Sequence, residues 1–201
     1  MLVAGIKSRP VYRGLRPDLF AKQNIVVTDA AGCEAILDMM KLADEGFPAR
    51  TTILLCRTGG NGKDPQDVLN PLGFANIWSF PTIETATSRL NAALNTALMS
   101  TRLYATGSEP LIGSVIRTAL EHGIAHNSVF TEHRGSLKRR VQCVHCKGLT
   151  EDVTTNPVKC AHCGLTLIVR DHYSRRYAAF QGVRIDAEAP GEIPETKAEF
   201  Q

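Results

Sequence analysis

No run of apolar residues in the 201-residue chain approaches the roughly 18 that a membrane-spanning helix needs. The opening MLVAGIKSRP also lacks the long apolar stretch of a secretion signal. The expectation is a soluble cytoplasmic protein without membrane contact. Charge of one sign is equally scarce: 23 Lys and Arg stand against 20 Asp and Glu, a net charge of +3. That balance is too even for composition alone to imply nucleic-acid binding. No Ser/His/Asp set and no paired carboxylates stand out for acid–base or nucleophilic work. Disorder throughout is excluded, because 43% of residues are hydrophobic and 21% charged, ordinary proportions for a chain that buries a core. The length suits one full domain plus an appendage, or two small domains.

What is present is concentrated in the cysteines. Four of the six fall as Cys143-x-x-Cys146 and Cys160-x-x-Cys163, with thirteen residues between the pairs. Each C-x-x-C places two thiolates on one tight turn, and two such turns joined by a hairpin give the four-sulfur tetrahedron that zinc accepts. Residues Gly148 to Asn156 supply polar turn material between the pairs, and Leu165 to Val169 reads as a strand after them. The pattern is that of a zinc ribbon. Two disulfides are the alternative, which a cytosolic chain seldom keeps, and an iron centre would use the same four thiolates. His145 and His162 sit inside the turns where the flanking sulfurs already reach the metal, so four sulfurs and no histidine are expected as ligands. A closed four-thiolate site has no open position for water or substrate, so it contributes folding free energy rather than catalysis. Cys33 and Cys56, far apart in sequence, read as buried structural thiols.

Ahead of the cysteine pairs, apolar runs alternate with helical patterns, the signature of βαβ units and a parallel sheet. Strands are expected at Asn24–Thr28, Thr51–Cys56, Ile77–Phe80, Arg102–Thr106 and Val129–Glu132. Helices are expected over Cys33–Asp44, over Ile83–Leu98 with Thr82 as cap, and from Gly107-Ser108-Glu109-Pro110 to His122, where Gly123 stops the helix. The fold class is thus α/β, a small open parallel sheet followed by the zinc ribbon.

Open α/β sheets bind ligands beyond the carboxyl ends of their strands, so three loops are candidates for a phosphate. Asp29-Ala30-Ala31-Gly32 lacks G-x-G-x-x-G and carries an acid where a pyrophosphate would approach. Arg57 to Lys63 fails the P-loop pattern, with Arg57 and Asp64 where Gly and Ser or Thr are required. Gly107-Ser108 offers helix-start amides. A vestigial nucleotide site would therefore use Arg57, Gly107 and Ser108. Trp78 reads as core, His122, His126 and His133 as lacking partners at metal or catalytic spacing, and Arg175-Arg176 between Tyr173 and Tyr177 as a solvated strand edge. Five cations and no acid lie between Arg134 and Lys147, whereas the last eighteen residues carry five acids against Arg184 and Lys197. The composition of that tail, after Val183, fits either disorder or a path along a partner.

Tyr104-Ala-Thr-Gly-Ser-Glu-Pro110, the helix ending at Gly123 and Val129-Phe-Thr-Glu132 resemble the last strand–helix–strand unit of the nucleotide-binding domain of ferredoxin reductases, and Leu54-Leu-Cys-Arg57 resembles its second strand. Asp29 to Gly32 replaces that family's glycine-rich turn, and Thr106 its nicotinamide-side cysteine. With Ser8-Arg-Pro-Val-Tyr12, both cysteine pairs and His172-Tyr-Ser-Arg-Arg176, the chain from about residue 6 to 183 resembles the small zinc-containing, DmmA-like subunit of dimethylamine monooxygenase, a haem-dependent oxidative N-demethylase. The resemblance implies an accessory, itself non-catalytic subunit of an NADPH- and oxygen-dependent complex converting dimethylamine to methylamine and formaldehyde. It further implies zinc in this chain, and partner subunits carrying haem, NADPH, FMN, a 2Fe–2S cluster and tetrahydrofolate. The expected layout is an N-terminal segment 1–20, a reductase-like α/β domain 21–138, a zinc ribbon 139–183 and an acidic tail 184–201. The basic stretch from Arg134 to Arg140 and the Tyr173 to Tyr177 strand would meet acidic faces of partners. Two other readings stay open: an NADPH-binding or electron-delivering subunit of the same complex, and a nucleic-acid-binding zinc-ribbon protein.

Overall fold

The computed structural model describes residues 6, 8–58 and 64–201, so Gly59 to Lys63 of the loop after the second strand lie outside the described residues. Two compact units emerge: Tyr12–Gly135, and Ser136–Gln201 together with the described residues up to Val11.

The first unit alternates strands and helices: β1 (Gln23–Asp29), α1 (Cys33–Met40), β2 (Thr51–Cys56), α2 (Pro65–Leu69), β3 (Asn76–Phe80), α3 (Ile83–Leu94), β4 (Thr101–Gly107), α4 (Glu109–Glu121) and β5 (Phe130–His133). The strands pair in parallel in the order β3-β2-β1-β4-β5. The order in which strands are added reverses between β1 and β4, so their carboxyl ends flank a topological switch point. Alternation along β1 sends Ile25 and Val27 to one face, where Leu90, Leu111, Ile112 and Val115 of α3 and α4 cover them. Val26 faces the other side with Ile36 and Met39 of α1 and Leu69 of α2. Strands buried on both faces read as the near-continuous apolar runs IVV and ILL. Truncating such a fully buried leucine costs about 2–5 kcal/mol.

Local chemistry sets the element ends. Thr82 and Thr85 form a reciprocal capping box at α3, each side chain reaching the other's backbone. Gly123 takes φ +73° after α4, a left-handed stop that glycine adopts freely. Helix α3 ends at Leu94, four residues short of the periodic pattern, because Leu98 and Met99 turn outward into the loop before β4. Trp78 is not core: it lies 46% exposed on the edge strand β3, with Arg89 stacked over its ring at 4.8 Å. An edge strand has one neighbour, so an apolar run there need not be covered.

The second unit is a small β structure: β6 (Arg139–Cys143), β7 (Leu149–Val153), β8 (Thr155–Asn156), β9 (Val158–Lys159), β10 (Thr166–Ser174), β11 (Ala179–Arg184) and β12 (Lys197–Ala198). Its main sheet runs β7-β6-β11-β10-β9, with β6 and β11 parallel and the other pairs antiparallel. The segment expected as polar turn between the cysteine pairs is largely strand β7, with Thr150 and Val153 turned inward beside β6. Arg175 and Arg176 occupy the hairpin turn between β10 and β11 rather than a strand edge, and Tyr173 is buried against Phe180. The acidic tail closes on its own unit: β12 pairs with β8, and Phe200 is buried in the small core.

Candidate metal centre

Two turns of near-identical construction carry the thiols. The amide of Cys143 donates to the carbonyl of Gly148 (3.0 Å) and that of Cys160 to Leu165 (2.9 Å), while Lys147 and Gly164 donate back to Cys143 (2.9 Å) and Cys160 (3.1 Å). Closing each turn requires a left-handed residue just after the second cysteine, taken by Lys147 at φ +64° and Gly164 at +72°. The antiparallel pair β6–β7 supports the first turn, and β9–β10 the second. Together they bring all four sulfurs within 4.8 Å of one another.

Sulfurs held about 2.3 Å from a central ion at tetrahedral corners lie about 3.8 Å apart. Cys143 and Cys163 are separated by 3.9 Å and Cys146 and Cys160 by 3.6 Å, so the donor set fits a four-thiolate metal. Both separations are far longer than the S–S bond of about 2 Å, and all six cysteines are free thiols, which speaks against the two-disulfide alternative. Among the described residues this is the only group of three or more metal-ligating side chains brought together.

The turns are tied to each other by side chains. His162 Nε2 donates to the carbonyl of Leu149 at 2.8 Å, which fixes its tautomer, and its ring covers Gly148 so closely that a Cβ there would lie 2.4 Å from Cδ2. The amide of Ala161 donates to Thr150 Oγ1 at 3.1 Å. His162 is thus a clasp between the turns. Its signal in the sequence is the Gly that follows the first turn, legible only once the pairing is known.

Without a metal the thiols are electrostatically unequal. Burial works against a thiolate at Cys160, but the backbone amides of Cys163 and His162 and the neighbouring thiols outweigh it and bring the group down to about 6. At Cys163 the Leu165 amide favours the thiolate, yet desolvation and three adjacent thiols push the group up to about 12. Cys33 and Cys56 sit apart in the α/β core; burial, with Asp29 nearby, pushes Cys33 up to about 11, and burial also raises Cys56. Both belong to the thiol form at neutral pH, where reactivity is low. A thiol-reactive probe applied to chelator-treated protein, in which the small β unit opens while the α/β unit stays folded, should therefore label Cys143, Cys146, Cys160 and Cys163 first. Cys33 and Cys56 should react only on unfolding, and rapid labelling of either, read by peptide mass, would contradict this burial.

The α/β unit places the other sequence-marked residues on the carboxyl edge of its sheet. Arg57 follows β2, and its guanidinium meets Gln66 Oε1 at 2.9 Å and Asp64 at 3.3 Å. Gly107 and Ser108 end β4, and the Ser108 amide and hydroxyl donate to Asp29 Oδ2 at 2.9 and 2.7 Å. Arg57 is separated from them by β1, which lies between β2 and β4. The basic stretch is not an open cationic face either. Arg134 binds Glu132 at 2.6 Å, Lys138 lies 3.9 Å from Asp152, Arg139 binds Asp171 at 2.7 Å, and Arg140 binds Glu151 at 2.7 Å. Glu132 lies two residues before Arg134 and the other acids come from strands β7 and β10, so a cationic run in sequence becomes a set of ion pairs. No described helix is long and apolar enough to cross a membrane.

Fold and site together define a two-unit protein: a doubly wound α/β unit joined to a small β unit built around four converging thiols. Residues 4–129 match the N-terminal domain, and residues 140–183 the C-terminal domain, of the dimethylamine monooxygenase subunit DmmA-like family. The chain belongs to that family. It is also 30% identical over 149 residues, 71% of this chain and 85% of the relative, to the haem-dependent oxidative N-demethylase delta subunit of Ectopseudomonas mendocina (strain ymp). No solved structure matches the chain significantly.

Proposed function

We propose that this chain is an accessory subunit of a haem-dependent oxidative N-demethylase complex, and that Cys143, Cys146, Cys160 and Cys163 hold one zinc ion that fixes its small β unit. The likeness to a delta subunit across most of both chains carries the reading. The four-thiol site supports it, because such a centre has no vacant position for substrate and would supply rigidity. In the finer reading the complex is NADPH- and oxygen-dependent and demethylates dimethylamine to methylamine and formaldehyde. Haem, FMN, the 2Fe–2S cluster and tetrahydrofolate then sit on partner subunits, and this chain is non-catalytic with a reductase-like α/β unit. Isolation of the complex from its host with metal analysis tests this: one zinc per copy of this chain and co-purifying subunits, one with a haem spectrum, are expected. A chain that purifies alone from an active demethylase would overturn it.

With the Arg134–Arg140 cations paired internally, a different surface is better suited to assembly. At the amino end of the α/β sheet, Leu19 and Phe20 before β1 and Leu98 and Met99 before β4 stand 52, 89, 71 and 98% exposed. The two turns are adjoined by the Lys22 amide donating to Ser100 O at 3.1 Å. Arg16 and Lys22, three residues before Leu19 and two after Phe20, are exposed and form no ion pair among the described residues, while the acid of this segment, Asp18, is held by Arg102 at 2.6 Å. Such a surface suits a partner subunit with an apolar recess and an acidic rim. Phe20→Asp combined with Met99→Asp should leave the fold and metal content unchanged and reduce co-purification of partner subunits at least tenfold. Undiminished assembly would move the interface elsewhere.

A further inference from the structure

The switch point between β1 and β4 is where a doubly wound sheet of this strand order takes an anionic ligand, because two helix N-termini converge there. Here both helix starts already have an anion. Asp29, at the end of β1 and 2% exposed, accepts from the Gly32 amide at the start of α1 (3.1 Å to Oδ1). It accepts from the Ser108 amide at the start of α4 (2.9 Å to Oδ2). The Ser108 hydroxyl, free in this position to cap its own helix, donates to the same oxygen at 2.7 Å instead and makes no cap hydrogen bond.

Neither glycine of the crevice leaves room for a ligand. A Cβ on Gly107, which has φ +121°, would lie 2.1 Å from Asp29 Oδ1, so the missing side chain admits the carboxylate. A Cβ on Gly32 would meet Thr28 Oγ1 at 2.4 Å and the Thr106 carbonyl at 2.5 Å, so that glycine permits close packing of β1, α1 and β4. The described residues at the switch point therefore do not fit a dinucleotide pyrophosphate. We propose that Asp29 is a built-in anion: it occupies the pyrophosphate position at the switch point and closes this α/β unit to nucleotides, leaving it a nucleotide-binding framework used as a scaffold. The inference is independent of the zinc reading, since all its residues lie in the α/β unit. It bears instead on the source of reducing equivalents, which must then enter the complex through another chain.

Chemical rescue tests it on the full-length, metal-loaded chain. The wild type should show no saturable response to NADPH or inorganic pyrophosphate up to millimolar concentration, in calorimetry or thermal melting. Asp29→Ala should melt roughly 5–10 °C lower, because two helix-start amides lose their charged acceptor. Pyrophosphate should recover much of that loss saturably, where potassium chloride at equal ionic strength does not. Asp29→Asn, which keeps the shape and loses the charge, covers the case in which the alanine variant fails to fold, and should also be stabilised by pyrophosphate. Saturable binding of NADPH or pyrophosphate to the wild type would overturn the proposal. So would variants that melt lower but ignore added anions.

Discussion

Replacing Cys160 by serine should unfold the small β unit while the α/β unit stays folded. Among the described residues, the packed apolar cluster of the second unit has nine buried members, and two of them, Cys143 and Cys160, are candidate metal ligands. A core of that size cannot offset the conformational entropy of ordering the chain around it, the usual reason small domains recruit a metal. Structural four-coordinate zinc supplies apparent binding free energies of about 10–16 kcal/mol at neutral pH, far more than such a core. Losing one thiolate of four should therefore reduce bound metal well below one per chain and expose the linkers between β6 and β10 to protease. Calorimetry should then show the α/β transition alone. Chelation of the wild type should give the same outcome, as should acidification. The metal-bound thiolates hold fewer protons than the thiols of the unfolded chain, so stability from this site rises with pH and is lost as pH falls. A Cys160→Ser protein with unchanged metal content, protease resistance and melting would show that the site is ornamental to the fold.

What could be read from the sequence depended on how far apart the interacting residues lie. The β1-to-β5 framework was legible because each strand announces itself locally: TTILLC is both the expected run and the observed β2. The Thr82 cap and the Gly123 stop are likewise properties of a few adjacent residues. The cysteine spacing pointed to the cluster that the structure assembles. Features set by distant partners were not legible. The acid in the first loop could be seen to suit a pyrophosphate poorly, but its acceptance of hydrogen bonds from Ser108, 79 residues away, could not. Trp78 reads as core until β3 is known to be an edge. The cations from Lys138 to Arg140 read as a surface patch because their acids, Asp171 among them, come from elsewhere in the sequence. The same holds for the tail, whose acidic composition conceals Phe200, the residue that anchors it.

That anchor makes the second large effect fall on Asp171. The Arg139 guanidinium lies between two rings, its central carbon 4.0 Å from the Phe180 centroid and 4.1 Å from that of Phe200, and Nη2 donates to Asp171 Oδ1 at 2.7 Å. The side chains of Arg139 and Asp171 are only 11 and 9% exposed, so water can do little to replace a lost partner. Asp171→Ala should destabilise the small β unit by about 3–5 kcal/mol, the range for a buried charge left uncompensated. Phe200→Ala should cost less, because Phe180 and Asp171 still hold the cation, and its main effect should be release of the tail. The tail segment Pro194–Glu199 and β10 line a groove of about 760 Å³, so release should be visible as protease cleavage there before any loss of metal. The ordering of variants separates charge from packing. Arg139→Met paired with Asp171→Leu removes both charges while keeping apolar volume between the rings, and should be more stable than Asp171→Ala alone. If denaturant titration instead finds Asp171→Ala within about 1 kcal/mol of wild type, as for a solvent-screened pair, then the two phenyl rings alone hold the guanidinium and the tail.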